Sequence, residues 1–218
     1  MKRRLLTLCL CLLTTLLLSV TVLAEDLDAI RSYDIRISPN DDGTLNMSCY
    51  FEWEVLDSES DGPLTWVHIG IPNARIRDIQ ALSSNIDEIE QDGSYLDVWF
   101  DEEYEAGETV SFGFSWVQES MYTMTDTGMV RYRYTPGWFE EILVDEMTIT
   151  WDADGVLDYE TDYNRLSGSG SDKETEDGIV VTAKKLAHGE RVTLTVTYGI
   201  GNFPNIDASR SADQMKKE

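Results

Sequence analysis

Two histidines, one cysteine beyond the N-terminal apolar run and 41 Asp and Glu residues are the groups in this 218-residue chain that could do chemistry. A zinc site needs three or four nitrogen, sulfur or carboxylate ligands, and a nucleophilic triad needs a serine or cysteine beside an oriented histidine. His68 lies in "TWVHIGIP" on the face opposite Val67, Ile69 and Ile71, and His188 sits in a Gly-Glu turn. Neither has the company that catalysis requires, so both read as surface or internally satisfied residues. The "GSGS" at 168–171 lacks the Gly-x-Ser-x-Gly frame of a nucleophile elbow. No phosphate loop or dinucleotide fingerprint is present. Carboxylates could pair as in glycoside hydrolysis, but their abundance singles out no two of them. The chain is therefore read as non-enzymatic, with no catalytic or cofactor-binding residue.

Two further stretches offer binding chemistry. "DADGVLD" sets Asp152, Asp154 and Asp158 around Gly155, and hard carboxylate oxygens on a tight turn suit Ca²⁺. The full calcium loop with its distal glutamate is absent. A hairpin turn on Asp154-Gly155 is the preferred reading and Ca²⁺ the alternative. "DSESDG" at 57–62 carries the same ambiguity. In "RYRYTPGWFEE", residues 131–141, Tyr134, Trp138 and Phe139 flank a Pro-Gly turn as a candidate ligand platform. Flat rings beside carboxylates are the chemistry of a sugar-stacking surface. Alternation puts Tyr132 and Tyr134 on one face with Val130, which favours a buried aromatic corner instead. Trp138 and Tyr134, next to the turn, are the members most open to exposure. Burial of Trp138 is the preferred reading, because Met147, Ile149 and Trp151 of the next strand need cover.

The elements that must position these groups read as strands. In "TLNMSCYFEWEVL", Leu45, Met47, Cys49, Phe51, Trp53 and Val55 share one face, and polar residues share the other. Cys49 is thereby placed in the core as an inert small hydrophobe. "YDIRI", "TWVHIGIP", "SYLDVWF", "TVSFGFSW", "EMTITW" and "RVTLTVTY" extend the pattern, and Asp42-Gly43 marks a hairpin. The best helix candidate, around Asp26 to Ser32, is short. A Gly-Glu turn feeding an alternating strand occurs twice, in "AGETVSFGFSW" from Ala106 and in "HGERVTLTVTY" from His188. The fold expected is all-β, as tandem small Ig-like β-sandwiches over 25–120 and 121–207. The Ser- and Gly-rich stretch 165–178 reads as a flexible loop, and 208–218 as a disordered tail.

Met1-Lys2-Arg3-Arg4, a long apolar run and Val22-Leu23-Ala24 before Glu25-Asp26 form a secretory signal peptide over 1–24. An uncleaved N-terminal anchor is the alternative. A net charge of −24 argues against nucleic acid and anionic membrane as partners. Asn46-Met47-Ser48 is a glycosylation sequon.

"DGTL" at 42–45, "GPLTWVHIGIPN" at 62–73 and "YTPGWFEEILV" at 134–144 resemble secreted or membrane-anchored proteins of unknown function from Gram-positive, clostridia-like bacteria. The resemblance implies export and β-structure and assigns no site residue. The function expected is an exported, non-enzymatic module that binds an unknown protein or glycan at the cell surface. A secreted carbohydrate-binding or carbohydrate-active accessory domain is the alternative. Sequencing the N-terminus of secreted material should return Glu25 first; an intact Met1 on membrane-bound protein would make the segment an anchor.

Overall fold

The computed structural model describes residues 26–215. The signal segment 1–24 and the cleavage point before Glu25 lie outside the described residues. Fourteen strands run in order. They are β1 (Asp28–Pro39), β2 (Leu45–Val55), β3 (Leu64–Gly70), β4 (Ile76–Ala81), β5 (Ile86–Asp92), β6 (Tyr95–Tyr104), β7 (Thr109–Gln118), β8 (Tyr122–Met124), β9 (Met129–Tyr134), β10 (Leu143–Trp151), β11 (Val156–Asp162), β12 (Ser169–Thr175), β13 (Gly178–Leu186) and β14 (Thr193–Gly199). Two 3₁₀ turns and a four-residue helix, α1 (Ala212–Met215), follow. The all-β expectation holds.

Seven strands form one sheet in the order β12-β13-β10-β1-β2-β7-β4. A four-stranded sheet, β11-β14-β9-β8, and a three-stranded sheet, β3-β6-β5, complete the fold. The large sheet crosses the boundary expected near residue 120, because β1 pairs antiparallel with β2 and parallel with β10. Alternation then aligns inward side chains into rows across the sheet. Val181, Ile149, Ile35, Cys49 and Phe114 are successive partners in one such row. Ala183, Met147, Tyr33, Phe51 and Phe112 make the next, and all ten residues are buried. Both smaller sheets reach this face. Phe100 of β6 meets Phe112 edge-on with ring centres 5.1 Å apart, and Tyr132 of β9 meets Trp151 of β10 at 5.6 Å. Two buried polar groups there each find a partner: the Trp151 indole N–H donates to the Tyr198 hydroxyl at 2.7 Å, and Tyr132 Oη donates to the Gly43 carbonyl at 3.1 Å.

Several local expectations are corrected. The stretch from Asp26 holds no helix; its inward residues Tyr33, Ile35 and Ile37 continue as strand β1. Residues 165–178 contain β12, an edge strand paired with β13. Nearly every β12 side chain is exposed, so neither face is apolar and no alternation could betray it. The tail is tied down as far as it is described: Ser211 is buried, and Arg210 Nη2 pairs with Glu119 Oε2 at 2.6 Å. Asp154-Gly155 is a turn, but β10 and β11 lie in different sheets, so it crosses between layers and closes no hairpin.

The two Gly-Glu turns are alike for a local reason. In each the glutamate side chain reaches back to the amide three residues earlier, Glu108 Oε2 to Glu105 N at 2.7 Å and Glu190 Oε2 to Ala187 N at 2.8 Å. Gly107 and Gly189 supply the positive φ between them, 87° and 70°. The strands that follow, β7 and β14, then enter different sheets.

Ile35 touches both halves through the shared row and is fully buried. Ile35→Ala should cost about 2–5 kcal/mol by urea titration. Tryptophan fluorescence and far-ultraviolet circular dichroism should report one coincident transition. Two separated transitions would mean that the halves fold independently despite the common sheet.

Candidate functional site

The three- and four-stranded sheets meet at a seam, held by a backbone contact between two glycines. A Cβ on Gly137 would lie 2.5 Å from the Gly70 carbonyl oxygen, so only glycine admits the approach of the β9–β10 link to the end of β3. Beside this contact a groove of about 810 Å³ opens between the sheets. Its walls include Asn73, Tyr95, Arg133, Trp138 and Glu140. The 71–75 wall is fixed from behind by the buried Gln118, whose Nε2 donates to Asn73 Oδ1 at 2.9 Å and to the Arg75 carbonyl at 3.1 Å. Ser120, also at the groove, has φ 56°, a left-handed conformation uncommon outside glycine.

The Pro-Gly turn divides its aromatics between two environments. Phe139 is buried, with its ring centre 5.7 Å from Trp53 and 6.1 Å from Tyr33 in edge-on contacts. Tyr134 is 1% exposed, and burial pushes its phenol well above the ordinary range. Trp138 is 44% exposed. Its indole N–H donates to Glu140 Oε1 at 2.8 Å, and the Arg191 guanidinium lies over its ring at 4.9 Å. The three candidate platform residues are therefore not one platform. Tyr134 follows the inward face of β9, and Phe139 plugs the core. Trp138, expected to be covered, turns outward into the groove because its neighbour Phe139 turns inward.

A second exposed surface adjoins the groove. Cross-strand pairing sets Trp66 beside Trp99 and His68 beside Asp97 on the outer face of the three-stranded sheet. Trp66 and Trp99 stack at 5.1 Å with planes 17° apart, and His68 stacks on Tyr95 at 4.0 Å. Trp66, Trp99 and Tyr95 are 38–46% exposed. His68 Nδ1 is hydrogen-bonded to Asp97 Oδ1. His188 Nε2 pairs with Asp26 Oδ1 at 3.1 Å. Sequence reading passed over this face, although its signal was present: Trp66, Tyr95 and Trp99 all sit opposite an apolar alternation.

The calcium candidates are not gathered. Asp152 accepts from the Asp154 amide at 3.1 Å and from Ser38 Oγ at 3.2 Å, while Asp158 stands on β11 opposite Thr197. Asp57 of "DSESDG" is likewise engaged by the amides of Glu59 and Ser60. Among the described residues no three His, Cys, Asp or Glu side chains group as metal ligands. No helix among them is long and apolar enough to cross a membrane. Cys49 is fully buried, and burial pushes its thiol far up, as its apolar face-mates imply.

No family model matches the sequence, and no curated protein is significantly similar to it. Solved structures are similar in fold. A putative protease from Parabacteroides distasonis matches 79% of this chain and 40% of its own, with 10% identity and a TM-score of 0.53. An M1 zinc metallopeptidase from Deinococcus radiodurans matches 78% of this chain and 42% of its own, also at 10% identity, with a TM-score of 0.42. The chain thus spans about two fifths of the length of the solved structures it matches. The match to the putative protease overturns the expectation of a cell-surface binding module, with a carbohydrate accessory domain as its alternative. The fold is shared with part of the longer putative protease chain.

Because Trp138 is half exposed, Trp138→Ala should lower stability by no more than about 1 kcal/mol, mostly through the lost guanidinium contact. Gly137→Val should do worse, about 1–3 kcal/mol, since the new side chain meets the Gly70 backbone. Thermal melts of both variants rank them; the reverse order would place Trp138 in the core after all.

Proposed function

We propose that the chain is a protease-related β domain, working outside the cytoplasm. It holds a stretch of extended polypeptide in the seam while a catalytic unit not found among the described residues acts on it. The observation that carries the reading is the groove between the two smaller sheets. Its volume lies in the range of ligand sites. One wall is the end of β3, an edge strand, where a polypeptide can add main-chain hydrogen bonds. Arg133 and Glu140 bring both charges that a peptide's polar groups require, and Trp138 and Tyr95 give flat apolar contact. The fold shared with a putative protease supports the same reading. Export rests on the apolar N-terminal run and its cleavage site. On this reading the chain positions the polypeptide and the catalytic unit supplies the chemistry.

The test is nuclear magnetic resonance on the ¹⁵N-labelled full chain with an end-capped, neutral octapeptide. Shifts should concentrate on the amides of Asn73, Thr123 and Arg133 and on the Trp138 indole. Arg133→Ala should weaken them. An unchanged spectrum at millimolar peptide, or shifts only elsewhere, overturns the reading.

A further inference from the structure

The outer face of the three-stranded sheet carries more exposed aromatic surface than isolated surface residues explain. Trp66, Trp99, His68 and Tyr95 form a continuous chain of ring contacts open to solvent. Exposed contiguous patches of this kind mark interaction sites. The chemistry of the partner follows from what lies beside them. Glu88, Glu90 and Asp92 of β5 pair directly with Trp99, Asp97 and Tyr95, so three exposed carboxylates flank the rings on the same face. Strands β3, β5 and β6 contain no lysine or arginine to balance them. An electron-rich aromatic strip bordered by a row of carboxylates suits one class of partner, a chain carrying lysine or arginine.

The molecule shows the same contact internally. Arg191 lies over the Trp138 ring while Glu140 takes the indole N–H, an arginine, an indole and a carboxylate in one cluster. Tyr95 belongs both to the aromatic strip and to the groove that Trp138 lines, so the two surfaces are continuous. We infer that this face selects cationic polypeptide, seating Lys or Arg side chains over Trp66 and Trp99 and between them and the β5 carboxylates. The inference rests on the seam reading for the class of partner, and on the face alone for its charge.

Six tryptophans make the test separable. The indole N–H signals of Trp66 and Trp99 report the face, that of Trp138 reports the groove, and those of the buried Trp53, Trp116 and Trp151 report the fold. A Lys- and Arg-rich octapeptide added to the full chain should move the Trp66 and Trp99 signals. A neutral or Glu-rich octapeptide should not. Glu88→Gln/Glu90→Gln/Asp92→Asn, and separately Trp66→Ala/Trp99→Ala, should each weaken cationic binding on the order of tenfold. Added salt should weaken it as well. The unmoved signals of the buried tryptophans confirm that each variant is folded. Equal response of the face to all three peptides, or silence of Trp66 and Trp99, overturns the inference. Movement of Trp138 alone would keep the seam reading while sinking this one. Movement of Trp66 and Trp99 without Trp138 would do the reverse.

Discussion

The parallel pairing of β1 with β10 is the constraint on which the rest of the structure depends. The two halves of the chain meet in the large sheet at this pair, β1 carrying β2 on its other edge and β10 carrying β13. The seven registered pairs of β1 with β10 bring Met147, Ile149 and Trp151 level with Tyr33, Ile35 and Ile37. A slip of one residue in either strand would turn its three inward side chains toward solvent. Parallel partners cannot be joined by a tight turn. Everything between β2 and β9 is in that sense the crossover, and it is long enough to build the three-stranded sheet and start the four-stranded one.

The seam is a consequence of that arrangement. Two small sheets lean on one large one, and their neighbouring edges have to come to terms. Gly70 and Gly137 allow contact through backbone at one point. Beyond it the sheets diverge, leaving a groove whose rear is stiffened by Gln118. A side chain at Gly137 would have met the Gly70 carbonyl and forced the two elements apart. The site is thus made by topology more than by any single side chain.

Most of the strands were legible because one of their faces is buried. β2 alternates along its whole length, and β7, β10 and β14 do so nearly as clearly. Elements without a buried face were not legible. β12 is polar on both sides, and its presence depends on main-chain bonds to β13. The repeated Gly-Glu motif was real, but it encodes a turn closed by its own glutamate. Which sheet the following strand joins is decided by distant partners. The Trp138-Phe139 pair shows the limit most sharply. Both residues are large and aromatic, and only the position of Tyr33 and Trp53 determines that Phe139 goes in and Trp138 out.

The charge of the chain acquires a direction once the fold is known. A net charge of −24 spread evenly would serve solubility and no more. Here the acids are arranged with respect to the aromatics. Along β2 of the large sheet Phe51 and Trp53 face inward, and Glu52 and Glu54 keep to the other side with Tyr50. On β3 and β6 the alternation still buries Val67, Ile69, Leu96, Val98 and Phe100, so the core is complete without the rings opposite them. Those outer positions were free to be polar, as their counterparts on β9 and β14 are, where arginines and threonines fill them. Trp66, Trp99 and Tyr95 therefore add nothing that the core needs. Leaving such rings in water is unfavourable in proportion to their apolar area, and an exposed stacked pair recovers only part of it. That cost has no structural return in the isolated chain, and the acidic row beside them sets the charge of whatever supplies one.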